Sequence, residues 1–171
     1  LAAEVGAVVR GADVSLVLQV LPRAWPSALS TRWRHLADGA TLRVAPSDAP
    51  RVRELLRGQL LLVHEDDAGH MLQATRVQHA GALDTIFATA AQLPDLGAQV
   101  LRTQPVQRAK SAQATTFRLW APSAQAVQLC LYSGEAAPAI HKLPMQRDAR
   151  SGSWHARRTG DLSGTVYLYL V

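Results

Sequence analysis

The stretch from Thr115 to Val127 constrains the fold more than any other part of this 171-residue chain. It reads Thr-Thr-Phe-Arg-Leu-Trp-Ala-Pro-Ser-Ala-Gln-Ala-Val. Phe117 and Leu119 alternate with Arg118, the period of a strand buried on one face. Ala121-Pro122 follows Trp120. Proline cannot donate to a sheet ladder, so the strand is expected to end or turn there. A second alternating run succeeds it: Val127, Leu129 and Leu131 point one way, Gln128 and Cys130 the other, and Tyr132 closes it. Two such strands joined by a short Pro-Ser-Ala turn predict the opening of an antiparallel β-sandwich. On this pattern Phe117 and Leu119 face the core and Trp120 faces away from it.

The remaining residues extend the same architecture. Ser133 to Pro138 is a loop, Ile140 to Leu143 a strand, and Arg147 to Gly152 a turn. Trp154 to Arg158 is a strand, Gly160 to Gly164 a turn, and Thr165 to Val171 the last strand. Residues 116–171 thus hold five or so strands, whereas an immunoglobulin-like sandwich takes about seven strands in about 100 residues. The sandwich is therefore expected to be C-terminally truncated, with an open edge inviting self-association or poor order near Tyr167–Val171. Residues 105–115 are polar, show no periodicity, and read as a linker.

Residues 1–104 read as a small β-rich or α+β domain with two or three short helices. Val14, Leu16, Leu18 and Val20 alternate as in a strand, and Leu21-Pro-Arg-Ala-Trp-Pro26 breaks it. Ser30 is placed to cap a short helix over 31–36 that carries Trp33. Asp38-Gly39 is a turn, and Thr41 to Ala45 a short strand. Ser47-Asp48-Ala49-Pro50 starts a helix that buries Val52, Leu55 and Leu56 and ends near Gly58. Gln59–His64 and Met71–Gln78 form a hairpin about Glu65-Asp-Asp-Ala-Gly69. After Gly81, Leu83, Ile86, Phe87 and Ala90 recur at helical spacing and stop before Pro94.

Phe-x-Leu-Trp-Ala-Pro-x-Ala-x-x-Val resembles the start of the immunoglobulin-like module that precedes the catalytic barrel in starch-debranching enzymes. Met145-Gln-Arg-Asp148, Ser151-Gly-Ser-Trp154, Asp161-Leu-Ser-Gly164 and Tyr167-Leu-Tyr169 follow in that family's order. Leu-Leu-Arg-Gly-Gln-Leu, a charged hairpin, and Ala-Thr-Arg-Val-Gln-His-Ala-Gly-Ala-Leu-Asp-Thr-Ile-Phe are similar, over Leu55–Phe87, to the domain before that module in bacterial pullulanases. The resemblance implies an N-terminal piece of a retaining α-1,6-glucosidase of the alpha-amylase superfamily. Its partners would be the catalytic barrel of the same chain and α-glucan, and its setting secreted or cell-envelope. The chain lacks an initiator methionine, and a β/α barrel takes about 250 residues, so this piece is expected to be catalytically silent. It would support the barrel of an enzyme that acts on pullulan, starch or glycogen, and help present α-glucan to it. The alternative is a protein–protein interaction sandwich without sugar binding.

Composition narrows the chemistry. Hydrophobic residues make up 48% of the chain, which places it among globular rather than disordered sequences. Its single cysteine, Cys130, excludes an internal disulfide and a cysteine zinc site. No apolar run approaches a membrane span. The net charge of +5 lies in residues 105–171, where basic residues are scattered over linker, strands and turns. Nucleic acid, which demands a clustered basic face with stacking platforms, is not an expected partner. The histidines show no metal-binding spacing, and His64, His70 and His79 flank one hairpin. Asp66-Asp67 sits in a loop, so no catalytic residue, metal or cofactor is assigned. Sugars stack on exposed aromatic rings, which leaves Trp120, Trp154 and Tyr132 as carbohydrate-binding candidates. Tyr167 and Tyr169 share one strand face, which suits packing.

Overall fold

A computed structural model describes residues 4–22, 31, 34, 39–102, 113–134 and 138–171. They form two compact units, Leu1–Leu55 with Gln59–Val77, and Leu56–Gly58 with Gln78–Val171. The helix expected over 31–36, with Trp33, and the Trp25 segment lie outside the described residues.

In the first unit, β1 (Leu18–Leu21) pairs antiparallel with β2 (Thr41–Val44). The alternation expected from Val14 to Val20 does not mark a buried face: Val20 is 71% exposed. Alternation says which side chains share a face, not whether another layer covers it. Asp48 precedes one turn of 3-10 helix at Ala49–Arg51, which runs into an α-helical turn at Val52–Leu55. Pro50 suits this start because its missing N–H is one that a first turn leaves unpaired. β3 (Leu61–Glu65) and β4 (Met71–Arg76) form the expected hairpin, with Leu61 opposite Arg76 and Val63 opposite Ala74. Asp66 shapes its loop by accepting from the backbone N–H groups of Ala68 and His70.

The second unit is the sandwich. Its first sheet has the order β5 (Gly97–Arg102), β6 (Gln113–Trp120), β10 (Ser153–Thr159), β9 (Gln146–Asp148). Its second has the order β11 (Val166–Leu170), β7 (Gln128–Tyr132), β8 (Ala139–Pro144). Seven strands are therefore present among the described residues, where the sequence pattern predicts five. One of the extra two, β5, lies in the stretch assigned to the first domain, and it pairs with β6 from Gly97↔Arg118 to Arg102↔Gln113. The expected linker also ends early: β6 begins at Gln113, and Thr115 is buried, donating its hydroxyl to Gly160 O and accepting from Leu162 N.

β6 and β7 are not a hairpin, because each belongs to a different sheet. The Ala121–Val127 connection crosses between layers, so both alternating runs turn their apolar sides into one core. That core comprises Phe117, Ala124, Val127, Leu129, Leu131, Met145 and Trp154. Each fully buried large apolar side chain here stabilises the fold by roughly 1.5–3 kcal/mol. Tyr167 and Tyr169 reach this core from β11. The Phe117 and Tyr167 rings meet edge-on at 5.2 Å and those of Tyr167 and Tyr169 at 5.5 Å, linking the two sheets. Burial, then the neighbouring Tyr167, pushes the Tyr169 phenol up to about 12.

The helix at Ala80–Ile86 belongs to this same unit and leads through Phe87 into a 3-10 turn at Ala88–Gln92. Of its expected apolar positions, Phe87 is buried and Leu83, Ile86 and Ala90 are half-buried. Arg57 donates to the backbone carbonyls of Ala124 and Gln125, and Gln125 donates back to Arg57 O. This reciprocal clamp holds the Leu56–Gly58 segment on the β6–β7 crossing.

Candidate functional site

The structure separates the three aromatic candidates. Trp154 stands opposite Leu119 in the β10–β6 register and shares its core-facing side. It is 6% exposed and donates its indole N–H to Ala121 O at 2.9 Å. The sugar-stacking role expected for Trp154 is therefore corrected: its ring is buried in the core with Phe117, Leu129 and Met145. Tyr132 is half-buried at the end of β7, and alternation places it with Cys130 on the outer side of the three-stranded sheet. Trp120 is half-buried on the outer side of the four-stranded sheet. Trp120 and Tyr132 thus lie on opposite faces of the sandwich, and no one ligand surface joins them.

The two outer faces differ in chemistry. Beside Tyr132 stand Cys130, Val166, Leu168 and Leu170, with Lys142 across from Cys130. Beside Trp120 the register sets out polar rows. Ser153 lies between Trp120 and Asp148, and His155 between Arg118 and Gln146. Arg157 lies opposite Thr116, which in turn faces Gln99. Alternation from Leu119 is the sequence signal that puts Arg118 and Trp120 on one side. The partners contributed by β9 and β10 carry no such signal, because inter-strand register is not written locally.

The polar groups around Trp120 are connected. Arg118 donates from Nε to Asp95 at 3.0 Å and from Nη1 to Ser153 Oγ at 3.5 Å. The Ser153 and Ser151 hydroxyls are 2.9 Å apart, and Ser151 Oγ donates to Asp148 Oδ2 at 2.7 Å. Asp148 Oδ1 accepts from Arg150 N at 2.9 Å, and Asp148 O accepts from Gly152 N. The Ser151 hydroxyl, followed by the Arg150 N–H, holds the Asp148 carboxyl below its ordinary value. Onto this turn the Trp120 indole docks, donating Nε1–H to Ser151 O at 3.0 Å. At the far end of the turn Gly152 has φ +68° and lies against Pro122 and Phe87. Thr89 Oγ1 donates to Arg150 O at 3.3 Å.

A family model for the pullulanase N2 domain matches residues 1–85. A second, for carbohydrate-binding module 48 (the isoamylase N-terminal domain), matches residues 95–171. The chain carries the paired N-terminal domains of the pullulanase family. The pullulanase of Klebsiella pneumoniae is 34% identical over 152 residues, which is 89% of this chain and 13% of that protein. Pullulanase 1, chloroplastic, of Arabidopsis thaliana is 27% identical over 165 residues, 94% of this chain and 15% of that protein. A crystal structure of the Klebsiella pneumoniae pullulanase complexed with maltotriose is similar at TM-score 0.74 and 33% identity, covering 92% of this chain and 14% of that one. The chain therefore spans 13% to 15% of the length of these curated relatives. In the pullulanase N-terminal pair the module 48 match begins ahead of β5, as the pairing of β5 with β6 requires.

Proposed function

We propose that this chain is the non-catalytic N-terminal part of a pullulanase that hydrolyses α-1,6-glucosidic branches of pullulan, starch or glycogen. Its sandwich binds α-glucan on the outer face of the four-stranded sheet, with Trp120 as the stacking platform. The observation that carries this reading is the setting of Trp120. Its ring is half-buried beside Arg118 and His155, side chains able to read sugar hydroxyls, whereas Trp154 is buried in the core. The face holding Tyr132 is mainly apolar, with Lys142 and Gln128 among Cys130, Val166, Leu168 and Leu170, and suits packing instead. Glycoside hydrolysis needs two carboxyl groups facing one bond. The carboxylates Asp66, Asp95, Asp148 and Asp161 are engaged in shaping turns or pairing with Arg118.

Sedimentation with insoluble starch tests the reading. The chain is expected to be retained, Trp120→Ala to lose retention, and Tyr132→Ala to keep it. Retention unchanged in Trp120→Ala would overturn the assignment. A protein-docking role has its own supporting observation, on β11. Leu168, Leu170 and Val171 are 60%, 57% and 70% exposed, and β11 has β7 on one side and no other strand beside it among the described residues. This is the surface by which the module would pack against a catalytic barrel or another protein.

A further inference from the structure

We propose that Asp148 is the positioning residue that fixes the orientation of the Trp120 ring. This role rests on Trp120 being the platform on which α-glucan stacks. Asp148, Ser153 and Trp120 stand side by side across β9, β10 and β6 on one face of the sheet. The indole does not bond to its cross-strand neighbour Ser153. Its N–H reaches instead to the carbonyl of Ser151, a residue in the turn between β9 and β10.

Three bonds from Asp148 define that turn. The carboxylate accepts from the Ser151 hydroxyl and from the Arg150 backbone, while its own carbonyl accepts from Gly152 N. The Ser151 carbonyl is thus aimed at Trp120 by the residue whose side chain Asp148 grips. A stacking platform contributes binding free energy in proportion to how little its ring must be ordered when ligand arrives. The carboxylate therefore acts on binding through Trp120, without touching ligand.

The second tryptophan of the sandwich is an internal reference. Trp154 donates its indole N–H to Ala121 O, one bond further from Asp148, since the Ala121 N–H reaches Gly152 O at the end of the turn. A perturbation confined to the turn moves the Trp120 signal more than the Trp154 signal, whereas general loosening moves both equally.

The test is the ¹⁵N–¹H spectrum of the indole groups of the whole chain, with Asp148→Ala, Asp148→Asn and Ser151→Ala beside the wild type. In Asp148→Ala the Trp120 indole resonance is expected to shift and broaden while that of Trp154 moves less. Asp148→Asn, which keeps one acceptor oxygen for Arg150 N, should lie between alanine and wild type, and remains informative if the alanine variant does not fold. Starch retention should weaken by about five- to tenfold in Asp148→Ala, equivalent to about 1–1.4 kcal/mol. An unmoved Trp120 resonance in Asp148→Ala, or equal movement of Trp120 and Trp154, would overturn the proposal. So would unweakened retention in Asp148→Ala where Trp120→Ala abolishes it. If the wild type is not retained on starch, the glucan reading falls by itself, and the indole comparison still decides whether Asp148 sets the ring.

Discussion

Replacing Gly152 with alanine tests how tightly the β9–β10 turn is built into the sandwich. Gly152 has φ +68°, a left-handed conformation that costs an L-residue roughly 1–2 kcal/mol. A Cβ there would stand 2.6 Å from Pro122 Cβ, 2.9 Å from Phe87 Cδ1 and 3.0 Å from Pro122 Cα. None of these atoms is the free end of a flexible chain. Phe87 is 1% exposed, and Pro122 is held in the crossing between the two sheets. Overpacking of this kind costs typically about 1–3 kcal/mol, so Gly152→Ala should destabilise by about 2–5 kcal/mol. Domains of this kind are stable by only about 5–15 kcal/mol. Gly164→Ala separates the two contributions, since φ there is +80° with nothing within 4 Å of an added Cβ. It should cost the backbone share alone. Urea unfolding followed by near-UV circular dichroism measures both. Equal losses for Gly152→Ala and Gly164→Ala would refute the steric argument, and a loss under about 0.5 kcal/mol at Gly152 would refute the whole account of the turn.

Trp154→Ala should cost about 3–5 kcal/mol by opening the core, yet at temperatures where the variant is folded it should keep wild-type starch retention. Loss of retention by a folded Trp154→Ala would show that this ring meets sugar. Asp148 gives the acid limb of stability a defined sign. Its folded value lies below the ordinary 3.8, so its stabilising share is present above that value and disappears as pH falls through the folded one. Urea midpoints for wild type and Asp148→Asn should therefore converge as pH drops below about 4, and a gap that stays constant down to about pH 2 would contradict the network. On β11, Leu168→Lys with Leu170→Lys puts charge on an unguarded edge. Sedimentation velocity should show less self-association than wild type, and a wild type that stays monomeric at high concentration would exclude self-association through that edge.

The sequence pattern carried the faces of strands further than their partners. Phe117 and Leu119 inward with Trp120 outward, and Leu129 and Leu131 inward with Cys130 outward, follow from a period of two that the core enforces. The β3–β4 hairpin was readable because a polar Asp-Asp-Ala-Gly loop separates two apolar runs. The β6–β7 connection was not. Pro122 between two alternating runs is compatible with a hairpin or with a crossing between layers, and only pairing with distant β10 and β11 decides. β5 carries no local strand signal, because Ala98-Gln-Val-Leu-Arg is short and follows Pro94-Asp-Leu-Gly, a stretch that reads as loop. Its strand character comes from pairing with β6. Trp154 illustrates the same limit at the candidate site. Its own neighbours, Ser153 and His155, leave its side undetermined until the register sets it opposite Leu119. The turn that holds Trp120 was visible only as Asp148, Ser151 and Gly152 in sequence, without the indole that docks on it.

Under the proposed function, this chain meets α-glucan on the outer face of the four-stranded sheet, through Trp120. Titrating the ¹⁵N-labelled chain with maltotriose while following its four indole N–H signals, assigned by single replacement, tests it most directly. The account predicts a saturable shift of the Trp120 signal with that of Trp154 unmoved. No shift of Trp120 at saturating sugar, or a shift confined to another tryptophan, would contradict it.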